Sequence, residues 1–240
     1  MTFQRLPDAV LRPLSDISAF SSTAERLSAV IRLGVFVHGE QLPPERELAV
    51  RLGVSRVNLR EAIAVLREYG MVQTRRGRGG GTTIVYAGSP TEPIDPDELH
   101  RDRALILDAL DFRRVVEPGA AYLAASRQLS DDQRDWLTGY EEQVRAADTA
   151  PAHRIADSRL HLAVATLSGS PMLIEAVIRV QACLDGLLSR IPLLPDSVEQ
   201  SHQAHRAVVA AILAGDPPAA RAELERLCDG TAELVRALLA

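Results

Sequence analysis

Residues 42–85 constrain this chain more than any other part of it. Two short segments of helical periodicity flank Gly53-Val54-Ser55, and an Arg/Gly-rich run follows them. Pro43-Pro44 precedes Glu45-Arg46-Glu47, and acidic residues suit the first turn of a helix, which the pattern carries to about Leu52. Gly53 stands where a sharp turn needs a residue tolerant of positive φ. Ser55 is the N-cap of a second helix that ends at Tyr69-Gly70. On that helix Leu59, Ala62 and Leu66 share one face, and Arg56, Arg60 and Arg67 share another. Residues 71–74 and 82–85 are β-prone, and the seven residues between Thr74 and Thr82 carry Arg75, Arg76, Arg78 and four glycines, the composition of a hairpin tip.

Helix, tight turn, arginine-bearing helix and basic hairpin, in that order, make a winged helix-turn-helix. Leu48, Ala49, Leu52, Val54, Leu59 and Ala62 fall where its internal core lies, and Ala49 is small where the two helices cross. Arg56 and Arg60 lie at the start of the second helix, the part of a recognition helix that meets the major groove. Arginine pairs bidentately with guanine or binds a phosphate. Ser55 and the free N–H groups of that first turn suit a backbone phosphate. Arg75, Arg76 and Arg78, among glycines that allow close approach, suit the adjacent minor groove or backbone. A solvated arginine face is the alternative; it accounts for the charges but not for their order with the glycine turn, the serine cap and the wing. Charge distribution points the same way. Residues 26–86 hold ten Arg against five Glu, whereas residues 87–240 hold 15 Arg against 24 acids, so a basic module is attached to an acidic remainder although the whole chain is at −5. Every basic residue is Arg, which carries no mechanism by itself.

The expected organisation is an N-terminal arm (1–22), the winged module (23–86), a linker rich in proline (87–98) and an all-α domain (99–240). Thr23 is expected to cap a helix over 24–33, and 34–41 to form a loop or short strand. Beyond the linker the pattern is helical almost throughout, with helices expected near 99–109, 111–127, 131–147, 151–168, 171–190, 197–214 and 217–239. The fold class is therefore mainly α: a winged helix-turn-helix with a small β-hairpin wing, followed by an all-α helical bundle. No apolar run approaches the ~18 residues of a membrane span, and no basic segment followed by an apolar stretch marks a signal peptide. Cys183 and Cys228 make no disulfide framework and are expected to pack in a core in a reducing cytoplasm.

The run Leu42-Pro-Pro-Glu-Arg-Glu-Leu-Ala49, then Gly53-Val-Ser-Arg56, then Leu59-Arg-Glu-Ala62, Leu66, Gly70 and the glycine-rich hairpin resembles the GntR family of bacterial transcription regulators over residues 24–86. That resemblance implies DNA contacts from Arg46, Arg56, Arg60 and the wing at Arg76-Gly77; with the residues read above, the candidate DNA set is Arg46, Ser55, Arg56, Asn58, Arg60, Arg75, Arg76, Gly77 and Arg78. Two departures stand out. Pro44 occupies a position where a small polar residue is common, and Val57-Asn58 replaces a Thr-bearing pair.

Residues 100–240 resemble the FadR-type branch with its helical FCD ligand-binding domain, through Arg113-Arg-Val-Val-Glu117-Pro118, Ala120-Ala121 to Ala124-Ala125, Asp157-Ser-Arg-Leu-His161 and His205 to Gly215-Asp216. Asp157 and His161 are one helical turn apart and offer a carboxylate oxygen and an imidazole nitrogen to a divalent ion, which His205 closes from a later helix. Many members of the branch use one Asp and three His. Here the last position falls at Leu227, so the fourth ligand is missing or supplied by His202, Cys228 or water. Zn²⁺ or Ni²⁺ fits imidazole ligands; the competing reading is a metal-free, hydrogen-bonded Asp157–His161 pair. For Arg113 the alternatives are an internal i,i+4 pair with Glu117 and, as the resemblance implies, a clamp on an anionic effector. Trp136, Tyr122 and Tyr140 are expected in the core or an interface.

These readings give a cytoplasmic homodimer on a near-palindromic operator, with a small carboxylate metabolite in the helical domain and no membrane partner. Repression relieved by ligand is the commoner mode in the family. A rival reading makes Asp157, His161 and His205 a catalytic metal site, but no nucleophile elbow, phosphate loop or HExxH accompanies them. A second rival is an architectural DNA binder without an effector.

Overall fold

The computed structural model describes residues 19–75, 77, 80–88, 96–188 and 195–239. Residues 1–18 of the expected arm (1–22) and residues 89–95 of the expected linker (87–98) lie outside the described residues, as do Arg76 and Arg78. The chain divides into two compact units, Met1–Ser89 and Pro90–Ala240.

The N-terminal unit holds α1 (Ala19–Arg32), α2 (Glu45–Leu52), α3 (Arg56–Glu68), β1 (Val72–Arg75) and β2 (Gly81–Ile84). α2 begins after Pro44, which offers no side-chain cap, so its first turn relies on Glu45 and Glu47 against the exposed N–H groups. It ends at Gly53, whose φ of 68° turns the chain, and the Val54 N–H reaches back to the Ala49 carbonyl at 3.0 Å. Ser55 caps α3: its Oγ accepts from the Asn58 N–H at 3.1 Å. Leu27, Leu48, Leu52, Leu59 and Ile84 are all fully buried, with Ala49 and Ala62 beside them, so the turn sets α2 against α3, and α3 packs on α1 and β1 over one core.

Two local expectations are corrected, and a third, loop or short strand over 34–41, is decided for the loop. α1 begins at Ala19, so Thr23 is a buried residue inside it and not its cap. The strands are shifted by one residue, to 72–75 and 81–84, because the Met71 N–H is taken by the Leu66 carbonyl at the end of α3. The stretch before α2 contributes only a single bridge, Gln41 to Thr83, beside the antiparallel β1–β2 pair.

The C-terminal unit is all α: α4 (Pro96–Ala125), α5 (Asp131–Ala146), α6 (Ala150–Leu167), α7 (Pro171–Leu188), α8 (Pro195–Ala214) and α9 (Pro217–Leu238). The break expected near residue 110 does not exist. α4 is one 30-residue helix, because Ala109 and Leu110 are core residues rather than a turn, and it passes through Pro118. It packs against α6, α7, α8 and α9. Ala120, Ala121, Ala124 and Ala125 are buried along it, which allows close helix approach. α6 is the other central element, with 11 of its 18 residues buried. Tyr140 is in the core with Trp136 edge-on to it at 5.0 Å, the Arg159 guanidinium lies 5.2 Å over the Tyr140 ring, and Tyr122 is exposed.

Candidate functional site

In the helical unit, three helices bring their polar residues to one place. α6 carries Asp157 and His161 one turn apart, α8 brings His205, and α4 supplies Arg113 and Glu117. The His205 Nε2 lies 3.2 Å from Asp157 Oδ1 and 3.4 Å from His161 Nε2, and His161 Nε2 lies 3.9 Å from Asp157 Oδ2. Among the described residues these three form a group able to hold a metal ion. Two ligand atoms of one ion at ~2.0–2.2 Å sit roughly 3–3.5 Å apart, so two of the three separations fit and the third needs a small rotation of the carboxylate.

Glu117 organises the floor of this site, and the sequence reading cast it only as a partner for Arg113. Its side chain is 1% exposed. It accepts from Arg113 Nε at 3.0 Å, His161 Nδ1 at 2.8 Å and Gln181 Nε2 at 2.6 Å, with the Cys228 thiol at 3.8 Å. Burial alone would raise its pKa; the Arg113 guanidinium, with His161 and Gln181, overcomes burial and holds it at about 2. The internal Arg113–Glu117 pair is therefore made. Arg113 also sends a second nitrogen to 3.3 Å from His161 Nε2 and lines the cavity.

Tautomers follow from these partners. A guanidinium only donates, so His161 Nε2 is an acceptor and its proton sits on Nδ1, facing Glu117. This carboxylate–histidine arrangement places the single lone pair on Nε2, where it accepts from Arg113 and where a metal ion would take it in place of that contact. Burial pushes the His205 pKa down to about 4 against the pull of Asp157, so the ring is neutral at neutral pH. With its proton on Nδ1, facing Ser201 Oγ at 3.3 Å, its Nε2 is free for an ion; with the proton on Nε2 it donates to Asp157. Asp157 is held below the usual carboxylate range: burial works to raise it, but His205, then His161 and Arg113, outweigh burial.

A cavity of about 290 Å³ opens beside the group, lined by Arg113, Asp157, Ser158, Gln181 and Ser201 and closed from α9 by Leu227 and Thr231. Leu227 thus faces this cavity without offering a ligand. Neither substitute for it reaches the group. The Cys228 thiol, pushed up to about 12 by burial, turns to Glu117, and the His202 ring lies against His153 at 5.3 Å. Cys183 is half-buried.

In the N-terminal unit, Arg46, Ser55, Arg56 and Arg60 are exposed, Asn58 is half-buried with its N–H engaged by Ser55, Arg75 is exposed at the end of β1, and Gly77 turns the wing tip at φ 100°. Arg60 rests 3.7 Å from Glu45 and 3.4 Å from the Arg56 carbonyl. Gln41, Gln73 and Thr83 form a polar surface with Arg75 on one side of the wing. The sequence reading did not single them out, although Gln73 and Arg75 alternate onto one strand face.

Comparison with known proteins follows this division. Residues 20–82 match the model of the gntR family of bacterial regulatory proteins, and residues 108–230 match the FCD domain. The chain is 33% identical over 219 residues to the Escherichia coli "Putative L-lactate dehydrogenase operon regulatory protein", covering 88% of this chain and 81% of that one. It is 35% identical over 177 residues to the Mycobacterium gastri "Putative HTH-type transcriptional regulator RmpR", where the match covers 72% of this chain but only 63% of the relative's length. The solved structure of E. coli McbR/YncC, 18% identical, superposes with a TM-score of 0.54 over 93% of this chain and 100% of that one, a likeness of fold.

Proposed function

The chain belongs to the gntR family of bacterial regulatory proteins, with an FCD domain behind its DNA-binding module, and from that membership we propose how this particular regulator reads DNA and what its helical domain senses. It is a DNA-binding transcription regulator rather than an enzyme, as its relatives are. The observation that carries the reading is α3. The helix is capped by Ser55 and presents Arg56 and Arg60 to solvent, while Leu59, Ala62 and Leu66 on another face are buried.

Docked in a major groove, Arg56 and Arg60 reach base edges or flanking phosphates. Ser55 and the first-turn N–H groups hold a phosphate, with Asn58 beside them, and Arg46 binds the backbone from α2. The wing, through Arg75, Arg76, Gly77 and Arg78, follows the adjacent minor groove. Such a protein works where its operator is, in the cytoplasm; no helix among the described residues is long and apolar enough to cross a membrane.

The homodimer is supported by a stripe on α4. Leu105, Phe112, Val115 and Tyr122 are exposed at 59, 45, 72 and 41%, at the 7–3–7 spacing of a helix seam that a second copy covers by two-fold symmetry. Val115→Glu is expected to yield a monomer in sedimentation equilibrium and to weaken operator binding at least about 100-fold through lost bivalency; a stable dimer removes this stripe from the interface.

The helical cavity takes a small carboxylate, with Arg113 as the cation on its wall beside Asp157 and His161, and Arg154 and Arg226 also lining it. The E. coli relative's name ties that protein to an L-lactate dehydrogenase operon, in keeping with this ligand class. Asp157, His161 and His205 suit Zn²⁺ or Ni²⁺, which supplies a Lewis-acidic anchor for a ligand oxygen when bound. The chain's own residues orient the site: Glu117 fixes the His161 tautomer, and Leu227, which closes the cavity from α9, offers no donor atom, so a coordination position would be left to the ligand. A ligand alters operator affinity only insofar as it binds the DNA-competent and incompetent states unequally.

Thermal-shift screening of small carboxylates, with elemental analysis of the purified protein, tests this reading. A binding carboxylate raises the melting temperature, and zinc or nickel copurifies. His161→Ala removes one of three ligands and weakens metal retention beyond the roughly 10–100-fold that loss of an outer-shell partner costs. Wild-type protein without metal, but still stabilised by a carboxylate, selects the second arrangement, in which His205 Nε2–H donates to Asp157.

A further inference from the structure

Four large apolar side chains are exposed among the described residues of the N-terminal unit: Val37, Val50, Val57 and Tyr69. Only Val57 lies on the first turn of α3, between Ser55-Arg56 and Arg60, and it is 59% exposed. At 100° per residue, Val57 and Glu61 stand on the line of α3 opposite its buried stripe of Leu59, Ala62, Ile63 and Leu66, with Arg56 and Arg60 to one side. That line points outward from the core. Glu61, one turn beyond Val57, is exposed on the same line. A carboxylate aimed at phosphates is repelled, whereas the amino groups of cytosine and adenine at the base edges donate to it. The arginines at the side suit backbone or guanine, and the central line suits bases.

Valine has neither donor nor acceptor, so a phosphate gives it nothing. The apolar group that a base presents in the major groove is the 5-methyl of thymine. A β-branched residue on a helix keeps essentially one rotamer, so its methyl groups are held in place before binding. We infer that Val57 is a specificity-determining residue that packs on the methyl group of a thymine in each operator half-site; the inference rests on the assignment of α3 as the DNA reader.

The test uses the full-length protein. It first selects binding sites from random duplex DNA. Each thymine of the selected half-site is then replaced by deoxyuridine, which differs only by the methyl group, and affinities are measured for the wild type and for Val57→Ser. One position, repeated in the other half-site, is expected to lose about fourfold in wild-type affinity per methyl removed, the size of one apolar group returned to water. Val57→Ser loses nothing further at that position and responds as the wild type does at every other thymine. An unchanged melting temperature confirms that the variant is folded. No sensitive thymine, or equal sensitivity in both proteins, overturns the role of Val57 and leaves the reader assignment standing. Failure to select any site overturns the reader assignment, and Val57 with it.

Discussion

Arg56→Ala combined with Arg60→Ala is expected to abolish operator binding and to leave the fold intact. Each arginine that pairs bidentately with guanine contributes roughly 1–3 kcal/mol. A two-fold protein loses both from each half-site at once, so affinity falls by well over about 100-fold. The fold tolerates the change because both side chains are exposed, and among the described residues the only ion pair removed is the 3.7 Å contact of Arg60 with Glu45. An exposed pair of that kind is worth under about 1 kcal/mol. Fluorescence anisotropy at several salt concentrations checks the mechanism as well as the size. An arginine on phosphate reduces the salt slope by about one when removed, and one on a base edge relaxes sequence preference instead. Retention of wild-type affinity in the double variant removes α3 from the DNA interface.

The reader was legible because its determinants are local. Gly53 at φ 68° and Ser55 accepting from the Asn58 N–H each act within a few residues, and the Leu59–Ala62–Leu66 stripe is a periodicity that needs no partner to be seen. Errors arose where tertiary packing outweighed local signals. Thr23 looks like a cap, but α1 continues four residues before it. Asp108 and Asp111, both exposed, interrupt the apolar pattern near residue 110 and read as a break, whereas Ala109 and Leu110 between them are buried and hold α4 in one piece.

The candidate site in the helical unit shows the same division. Asp157 and His161 lie one turn apart and could be paired by counting. Glu117 could not be recognised as their support, because Gln181, His161 and Cys228 reach it from 64, 44 and 111 positions away along the chain, on three other helices. The helical pattern places each of these residues on a buried face, but it carries no information about which buried faces meet.

That hub makes Arg113→Ala a test of stability before it is a test of effector response. The substitution leaves the Glu117 carboxylate buried without its guanidinium, and breaking a buried pair in this way costs about 3–5 kcal/mol. The sign with pH identifies the cause. In the wild type Glu117 titrates at about 2, below the ~4.3 of an unfolded glutamate, so its contribution is fully present above about pH 4.5 and is lost as pH falls toward 2. In Arg113→Ala burial is no longer outweighed, the Glu117 pKa rises, and protonation relieves the buried charge. The gap in melting temperature between the two proteins therefore narrows as the pH is lowered from about 4.5 toward 2; a gap that stays constant means that the lost stability is packing alone. Effector recognition needs a gentler change. Arg113→Lys keeps a cation for Glu117 but replaces the planar fork with a point charge. The expected protein is folded, binds operator as the wild type does, and no longer responds to the carboxylate that stabilises the wild type. A full response from Arg113→Lys assigns Arg113 to the support of Glu117 and His161, and leaves carboxylate recognition to the other groups of the cavity.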